Sequence, residues 1–281
     1  MNGSMINAVV SMGGLQQKLD MIADNIANVN TVGYKRKEAT FEDLLTNVNK
    51  QPNDFKQPGR MTPLDFNQGW GSQLTMIKPN LEQGTIATTG KDTDFAIEGN
   101  ALFEVIVNAN GDRAYTRNGA FQLTVNANGD NILATAEGYP IVSTMVTQPG
   151  NVVVEQPITV PDGYKLVIGA DGSAQGVAAD GTTINLGTIK LMQATRPSAL
   201  TQLDDNLFAV AEGLNVGDVI QEVTPDADNA IALRQGSLEQ SNVDMSSEMT
   251  ELINVQRAYQ LVARALTSSD SMMGLANGLR R

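Results

Sequence analysis

The side chains that could carry chemistry in this chain are few, and two of the usual ones are missing. Its 281 residues include no cysteine and no histidine. That removes thiolate nucleophiles, disulfides, zinc–thiolate sites and the imidazole that most often serves as a general base. Carboxylates remain. Asp92/Asp94, Asp204/Asp205 and Asp226/Asp228 are close pairs, and two carboxylates flanking a glycosidic bond can divide the work of acid and base. A secreted cell-wall hydrolase built on Asp92 and Asp94 is therefore one functional class to weigh. Such sites usually come with aromatic platforms, yet only 5% of this chain is aromatic, and turns or exposed loops explain the pairs better. Asn108-Ala-Asn-Gly-Asp112 recurs as Asn126-Ala-Asn-Gly-Asp130, with alternating oxygens like the start of a calcium loop. The twelfth position counted from Asn108 is Gly119 rather than a bidentate Glu. Hairpin turns are the better reading. Lys35-Arg36-Lys37 suits the negative end of a preceding helix and reads as a solvated patch. No metal, cofactor or small-molecule substrate is expected.

Charge narrows the partners further. The net charge is −12, distributed as +2 over residues 1–37, zero over 244–281 and −14 between them. An acidic body repels phosphate backbones, so nucleic acid is not an expected partner. The two ends are spared that repulsion. Asn2, Ser4, Asn7 and Ser11 interrupt the first residues and no basic residue precedes Lys18, so a cleavable signal peptide is not expected. No window offers the roughly 20 apolar residues of a membrane span.

Those two ends carry the strongest periodic signal. Met5, Ala8, Met12, Leu15, Leu19, Ile22, Ile26 and Val29 alternate at 3-4 spacing, and so do Met245, Leu252, Val255, Tyr259, Val262, Leu266, Met273 and Ala276. Glu248 and Ser269 alone interrupt the second series. Such narrow stripes are those of a coiled coil, so the spacing predicts two long helices that mate with each other or with copies of themselves. Asp244 or Ser241 can cap the second helix. An ordinary pair of terminal core helices is the alternative.

Between them the pattern changes. Pro52, Pro58, Gly59, Pro63, Gly69, Gly71 and Pro79 break up residues 38–90, which read as an extended connector with a short helix at Phe41–Leu45 and short strands at Ser72–Ile77 and Gly84–Thr89. Trp70, the sole tryptophan, reads as packing this segment down. Residues 91–235 read as one antiparallel β domain. Short apolar or alternating runs occur at Phe95–Ile97, Leu102–Val107, Phe121–Val125, Val152–Val154, Lys165–Ile168, Ile189–Met192 and Phe208–Val210, punctuated by Asn-Gly and Asp-Gly pairs that tolerate tight hairpin turns. The three pairs beginning at Asp162, Asp171 and Asp180 fall nine residues apart, the pitch of a meander. The expected class is α+β, mainly β: residues 1–37 and 236–281 supply paired helices, with a connector and a β domain between. An adhesin-like β domain on a coiled-coil stalk is a further functional class compatible with this layout.

Several segments resemble a known family. Asn25-Ile-Ala-Asn-Val-Asn-Thr-Val-Gly-Tyr-Lys35 resembles the signature of bacterial flagellar rod and hook proteins. Thr93-Asp-Phe-Ala-Ile-Glu-Gly99 and Tyr115-Thr-Arg-Asn-Gly-Ala-Phe121 are similar to the landmarks of that family's β domain. Gly236-Ser-Leu-Glu-Gln-Ser-Asn-Val-Asp244, Glu248-Met249 and Gln256-Arg-Ala-Tyr259 resemble its C-terminal signature. The resemblance implies a structural axial subunit of the rod or rod–hook junction. Its terminal helices would pair in the wall of a helical tube, with copies of itself and other rod or hook proteins as neighbours. It further implies export through the flagellar type III apparatus, without signal cleavage, to a basal body outside the cytoplasmic membrane. To the seam residues it adds Asn25, Asn28, Thr31, Gly33, Tyr34, Asn242, Asp244, Gln256 and Arg257 as assembly residues.

Overall fold

Two kinds of residue pattern give two compact units in the computed structural model, which describes residues 2–43, 47–49, 66–68, 72–108, 111–126, 129–147, 152–203, 206–211, 213–225 and 231–278. The first unit comprises residues 1–26, 37–77 and 245–281, and the second 27–36 and 78–244. Trp70, Asp204/Asp205 and Asp226/Asp228 lie outside the described residues, as does most of 44–71.

In the first unit the two apolar stripes form helices Asn2–Ala27 and Met245–Gly278, of 26 and 34 residues. The N-terminal one stops at Ala27, short of Val29, because residues 28–33 turn instead. Its neighbour strands are Lys37–Asp43 and Ser72–Pro79, which pair with each other. The first of these corrects the expected helix at Phe41–Leu45: the segment through Asp43 is extended, and the Thr75 hydroxyl donates to the Thr40 carbonyl at 3.2 Å. Ladder bonds, in which Thr40 and Phe41 are good strand residues, outweigh the weak helical pattern. Apolar contact in this unit gathers Leu15, Leu19, Met21, Ile22 and Ile26 against Leu252, Val255 and Ala39.

Among the described residues the second unit is antiparallel strands with a short α-helix at Val216–Val219 and a 3-10 turn at Pro197–Ala199. A six-stranded sheet runs, in spatial order, Leu200–Gln202, Leu207–Val210, Arg113–Thr116, Leu102–Ile106, Leu191–Ala194 and Ile220–Val223. A five-stranded sheet runs Val152–Pro157, Val142–Thr147, Thr183–Ile189, Ser173–Ala178 and Tyr164–Ile168. Its last three strands are the nine-residue meander. At its corners the Asp171 and Asp180 carboxylates accept hydrogen bonds from Ser173 and Thr182, closing each turn locally. The repeated Asn-Ala-Asn-Gly-Asp segments close turns in the same way, with Gly111 N–H donating to the Asn108 carbonyl and Gly129 N–H to that of Asn126. A smaller sheet joins Gln122–Val125, Asn131–Ala134 and Thr159–Val160.

Two differences from the sequence reading have physical causes. Ile189–Met192 is not one strand: Lys190 marks the change from one sheet to the next, its side chain reaching Glu155 at 2.5 Å and Glu104 at 3.0 Å. The β structure also extends past the expected limits at 91 and 235, because Ile86–Thr88 pairs with Ser237–Glu239, and Phe95–Glu98 with Ala232–Gln235.

The principal core of this unit gathers Phe95, Phe103 and Phe121 with Ile97, Leu133, Ile141, Ile158 and Leu191. Phe121 sits edge-on to Phe103 with centroids 5.2 Å apart, and 6.1 Å from Phe95. Gly119 lets the chain pass: a Cβ there would lie 1.6 Å from the Phe95 carbonyl oxygen, the residue whose N–H donates to the Gly119 carbonyl. We expect Phe121→Ala to cost about 3–5 kcal/mol in urea denaturation, through lost transfer and cavity terms. Val125→Ala, on the exposed strand that follows, should change stability by no more than about 0.5 kcal/mol. Similar losses at both positions would contradict this core.

Candidate functional site

Polar residues buried at two places distinguish this chain from a plain apolar packing. In the first unit Asn25 stands on the N-terminal helix beside the apolar stripe, next to Ile26, and it is fully buried. Its amide oxygen accepts the Lys37 N–H at 2.9 Å and its amide nitrogen donates to the Lys37 carbonyl at 3.1 Å. The helix end is thereby tied to the start of the following strand. The same nitrogen donates to Glu248 Oε2 at 3.3 Å. Glu248, the acidic interruption of the C-terminal stripe, is 1% exposed. Lys18 and Glu251 add an ion pair at 2.5 Å. Because Lys18 precedes Asn25 while Glu251 follows Glu248, the two helices run antiparallel. A cleft of about 800 Å³ between them is lined by Leu15, Lys18, Thr250, Glu251, Asn254 and Val255, among others.

In the second unit the turn after Ala27 enters the β structure. Gly33 adopts φ +68°, and a Cβ there would approach Asn118 N to 2.5 Å. Its N–H donates to the Glu239 carbonyl at 2.8 Å. Tyr34 and Lys35 follow, both buried. This corrects the reading of Lys35 as part of a solvated patch. Its ammonium donates to Glu239 Oε1 at 2.8 Å and to the Glu82 carbonyl at 2.6 Å. Arg117 Nε donates to the other Glu239 oxygen, and the rest of the guanidinium takes the carbonyls of Ala101, Ile97 and Gly99. Gly84 N–H completes the carboxylate at 2.7 Å. Nearby, Asn242 accepts the Arg36 N–H at 2.7 Å and donates to the carbonyls of Asn80 and Glu82, each at 3.0 Å.

These charges are satisfied rather than merely enclosed. Burial raises the Glu239 carboxyl, but the positive charges of Arg117 and Lys35 with their hydrogen bonds outweigh it, and the group sits below its ordinary value. Burial is also the main influence on Lys35, lowering its ammonium against the opposing attraction of Glu239. Such a site is costly to break, since removing one partner strands a buried charge.

The remaining expected assembly residues distribute as follows. Ile22 and Val255 are buried; Met5, Met12, Leu15, Leu19, Ile26, Leu252, Tyr259, Val262, Leu266 and Met273 are half-buried; Asp244, Met245, Gln256 and Arg257 are exposed. Asn28, Val29 and Thr31 lie in the turn, where Thr31 donates from its hydroxyl to the Asn28 side chain at 3.1 Å. Lys35 was read only as one of three solvated cations and Glu248 only as an interruption of the stripe, and Arg117 and Glu239 were not singled out, though each lies inside a segment carrying the family resemblance. Of the acidic pairs, Asp94 accepts the Thr89 hydroxyl at 2.6 Å and is buried, while Asp92 pairs with Lys165 at 3.0 Å. Both carboxylates thus have turn or surface roles. Among the described residues no group of three or more Asp or Glu is placed to hold a metal ion, and no helix is long and apolar enough to cross a membrane.

Comparison with known proteins follows the same segments. Residues 10–35 match the family described as "Flagella basal body rod protein", 96–176 "Flagellar hook protein FlgE/F/G D1 domain", and 234–279 "Flagellar basal body rod FlgEFG protein C-terminal". Over its whole length the chain is similar to a flagellar hook-basal body complex protein FlhP of Bacillus subtilis, 33% identical and covering 99% of each chain. It is also similar to flagellar basal-body rod proteins FlgG of Agrobacterium fabrum, 34% identical over 96% of each chain, and of Borreliella burgdorferi, 31% identical over 98% of this chain and 97% of the relative.

The buried ion network makes a stability prediction with a definite sign. Because folding lowers the Glu239 pKa, its contribution is complete above the ordinary value of 4.5 and is lost as pH falls through the folded value. Glu239→Ala should cost about 3–5 kcal/mol at pH 7, leaving Lys35 and Arg117 without their counter-charge. Glu239→Gln should cost less and flatten the loss of stability between pH 5 and pH 3, read by urea denaturation at each pH. An unchanged acid limb in Glu239→Gln would assign that loss to other carboxylates.

Proposed function

The chain belongs to the flagellar basal-body rod protein family, and from that premise we propose how it builds its structure. It is a structural axial subunit of the basal body, not an enzyme. In our reading its terminal helices pair as a coiled coil and associate with those of neighbouring copies and of other rod or hook proteins, giving a helical tubular filament. The observation that carries this is the apolar surface left open along both helices. Ile6, Val9, Met249 and Ile253 are exposed, and Leu261 and Leu275 are 64% and 70% exposed. The C-terminal helix is about 50 Å long at 1.5 Å per residue, while the contacts it makes with the N-terminal helix involve Glu248 to Val255.

A helix in that condition gains most of its stability only when its apolar face is packed. Neighbouring subunits that remove roughly 400 Å² more from water would supply about 10 kcal/mol before ordering costs. The termini are therefore loosely held in the free chain and tighten on assembly. A head-to-tail contact that does not close on itself generates an open helical filament. In the same reading the subunit reaches the basal body through the flagellar export apparatus, as proposed from its family membership.

Removing residues 2–24, which leaves the Ala27–Arg36 segment that belongs to the β unit, tests this reading. The shortened protein should keep the β unit's cooperative unfolding yet fail to restore swimming or complete basal bodies to cells lacking the gene. Normal swimming with the shortened chain would refute assembly through the helices. In a dilute solution of the intact chain, helical circular dichroism should fall short of the 60 residues in the two long helices; full helicity would refute the loose termini.

A further inference from the structure

The apolar stripes do not by themselves decide how the two terminal helices align. Ala8, Leu15 and Ile22 repeat every seven residues on one stripe, as do Leu252, Tyr259 and Leu266 on the other. Sliding one helix along the other by a heptad therefore sets apolar side chains against apolar side chains again, at little cost in buried area. A polar pair inside the contact removes that degeneracy, because a slipped register leaves its members buried without partners.

We infer that Asn25 and Glu248 are positioning residues that fix the register of the terminal helices. Both are buried, at 0% and 1% exposure, and the bond between them is 3.3 Å. Asn25 is held from its other side by the Lys37 N–H and carbonyl, so its amide has one orientation in which oxygen and nitrogen are both satisfied. Glu248 can meet that amide only at one axial position. A slip of one heptad brings Val255 opposite Asn25 and removes the acceptor. The role rests on the helix pairing proposed above, but it is separable from it: helices with a relaxed register can still adhere.

The lack of native cysteine makes the test direct. Spin labels on cysteines introduced at the exposed positions Gln17 and Arg264 report the axial offset of the two helices by pulsed electron–electron resonance in the full-length chain. With Asn25 and Glu248 intact, we expect the paired helices to give one discrete distance population, over a broad background from chains whose loosely held ends are open. In Asn25→Leu, Glu248→Leu a second population should appear, its axial offset changed by about 10 Å, seven residues at 1.5 Å each. Asn25→Asp, which sets two carboxylates face to face, should broaden the distance, and adding Glu248→Gln should restore it. A single unchanged distance in both Asn25→Leu, Glu248→Leu and Asn25→Asp, or two discrete populations in the parent chain, would overturn the inference. Swimming read in the same strains separates the outcomes: loss of motility on removing residues 2–24 with an unchanged distance in both the leucine pair and Asn25→Asp leaves assembly standing and dismisses the lock.

Discussion

Glu239 is the group on which the second unit's arrangement depends. Its carboxylate accepts from Lys35, which follows the N-terminal turn, from Arg117 in the loop after a central strand, and from the Gly84 backbone. Three stretches, each more than a hundred residues from Glu239 in sequence, are held by one buried anion. Two cations and one anion would leave an excess positive charge, and the structure meets it with carbonyl oxygens: Glu82 for Lys35, and Ala101, Ile97 and Gly99 for Arg117. Directional bonds of this sort specify geometry more than they add stability, since an apolar replacement of similar volume would fill the space as well. What they supply is a fixed path for residues 27–36, the segment that leads out of the N-terminal helix.

The first unit solves a different problem with a similar device. Its apolar cluster around Ile22 and Val255 is small, and much of each helix remains open. Where the second unit closes its core with three phenylalanines and two large sheets, the first leaves Ile6, Val9, Leu261 and Leu275 exposed. Placing Asn25 and Glu248 inside so small a cluster costs hydrophobic area the unit can ill spare. That cost is understandable if alignment matters more here than the stability of the isolated chain.

Much of this was legible in the residues, and the failures share a cause. Period and punctuation are local signals, so the long helices, the meander at Asp162, Asp171 and Asp180, and the turns of the repeated Asn-Ala-Asn-Gly-Asp segments could be read directly. Lys35 was misread because a run of three cations is locally a solvated patch. Only the distant Glu239 and Glu82 make its burial affordable. Glu248 showed up as an interruption of the stripe, but nothing nearby in sequence named Asn25 as its partner, 223 residues away. The strand at Lys37–Asp43 was missed for the same reason, since its pairing segment begins at Ser72. Turns fixed by neighbours in sequence were legible, whereas the burial of Lys35 and Glu248, fixed by groups far along the chain, was not.

Charge placement ties the two units to the family's axial role. Were the −14 carried by residues 38–243 spread evenly along the chain, every close approach between copies would work against repulsion at distances inside the roughly 8 Å screening length of physiological salt. Concentrating it in the middle leaves the two helices nearly neutral, at −1 over residues 2–27 and −1 over 245–278, as the surfaces where approach is least opposed. A neutral apolar surface is also the least selective, for it will accept any similar surface in any register. Residues that are polar, buried and matched one to one are the available remedy, and in the described part of the helix pair Asn25 and Glu248 have those properties together. As proposed, adhesion and alignment fall to different side chains on the same two helices, the first to exposed leucines and methionines, the second to an amide and a carboxylate that water does not reach.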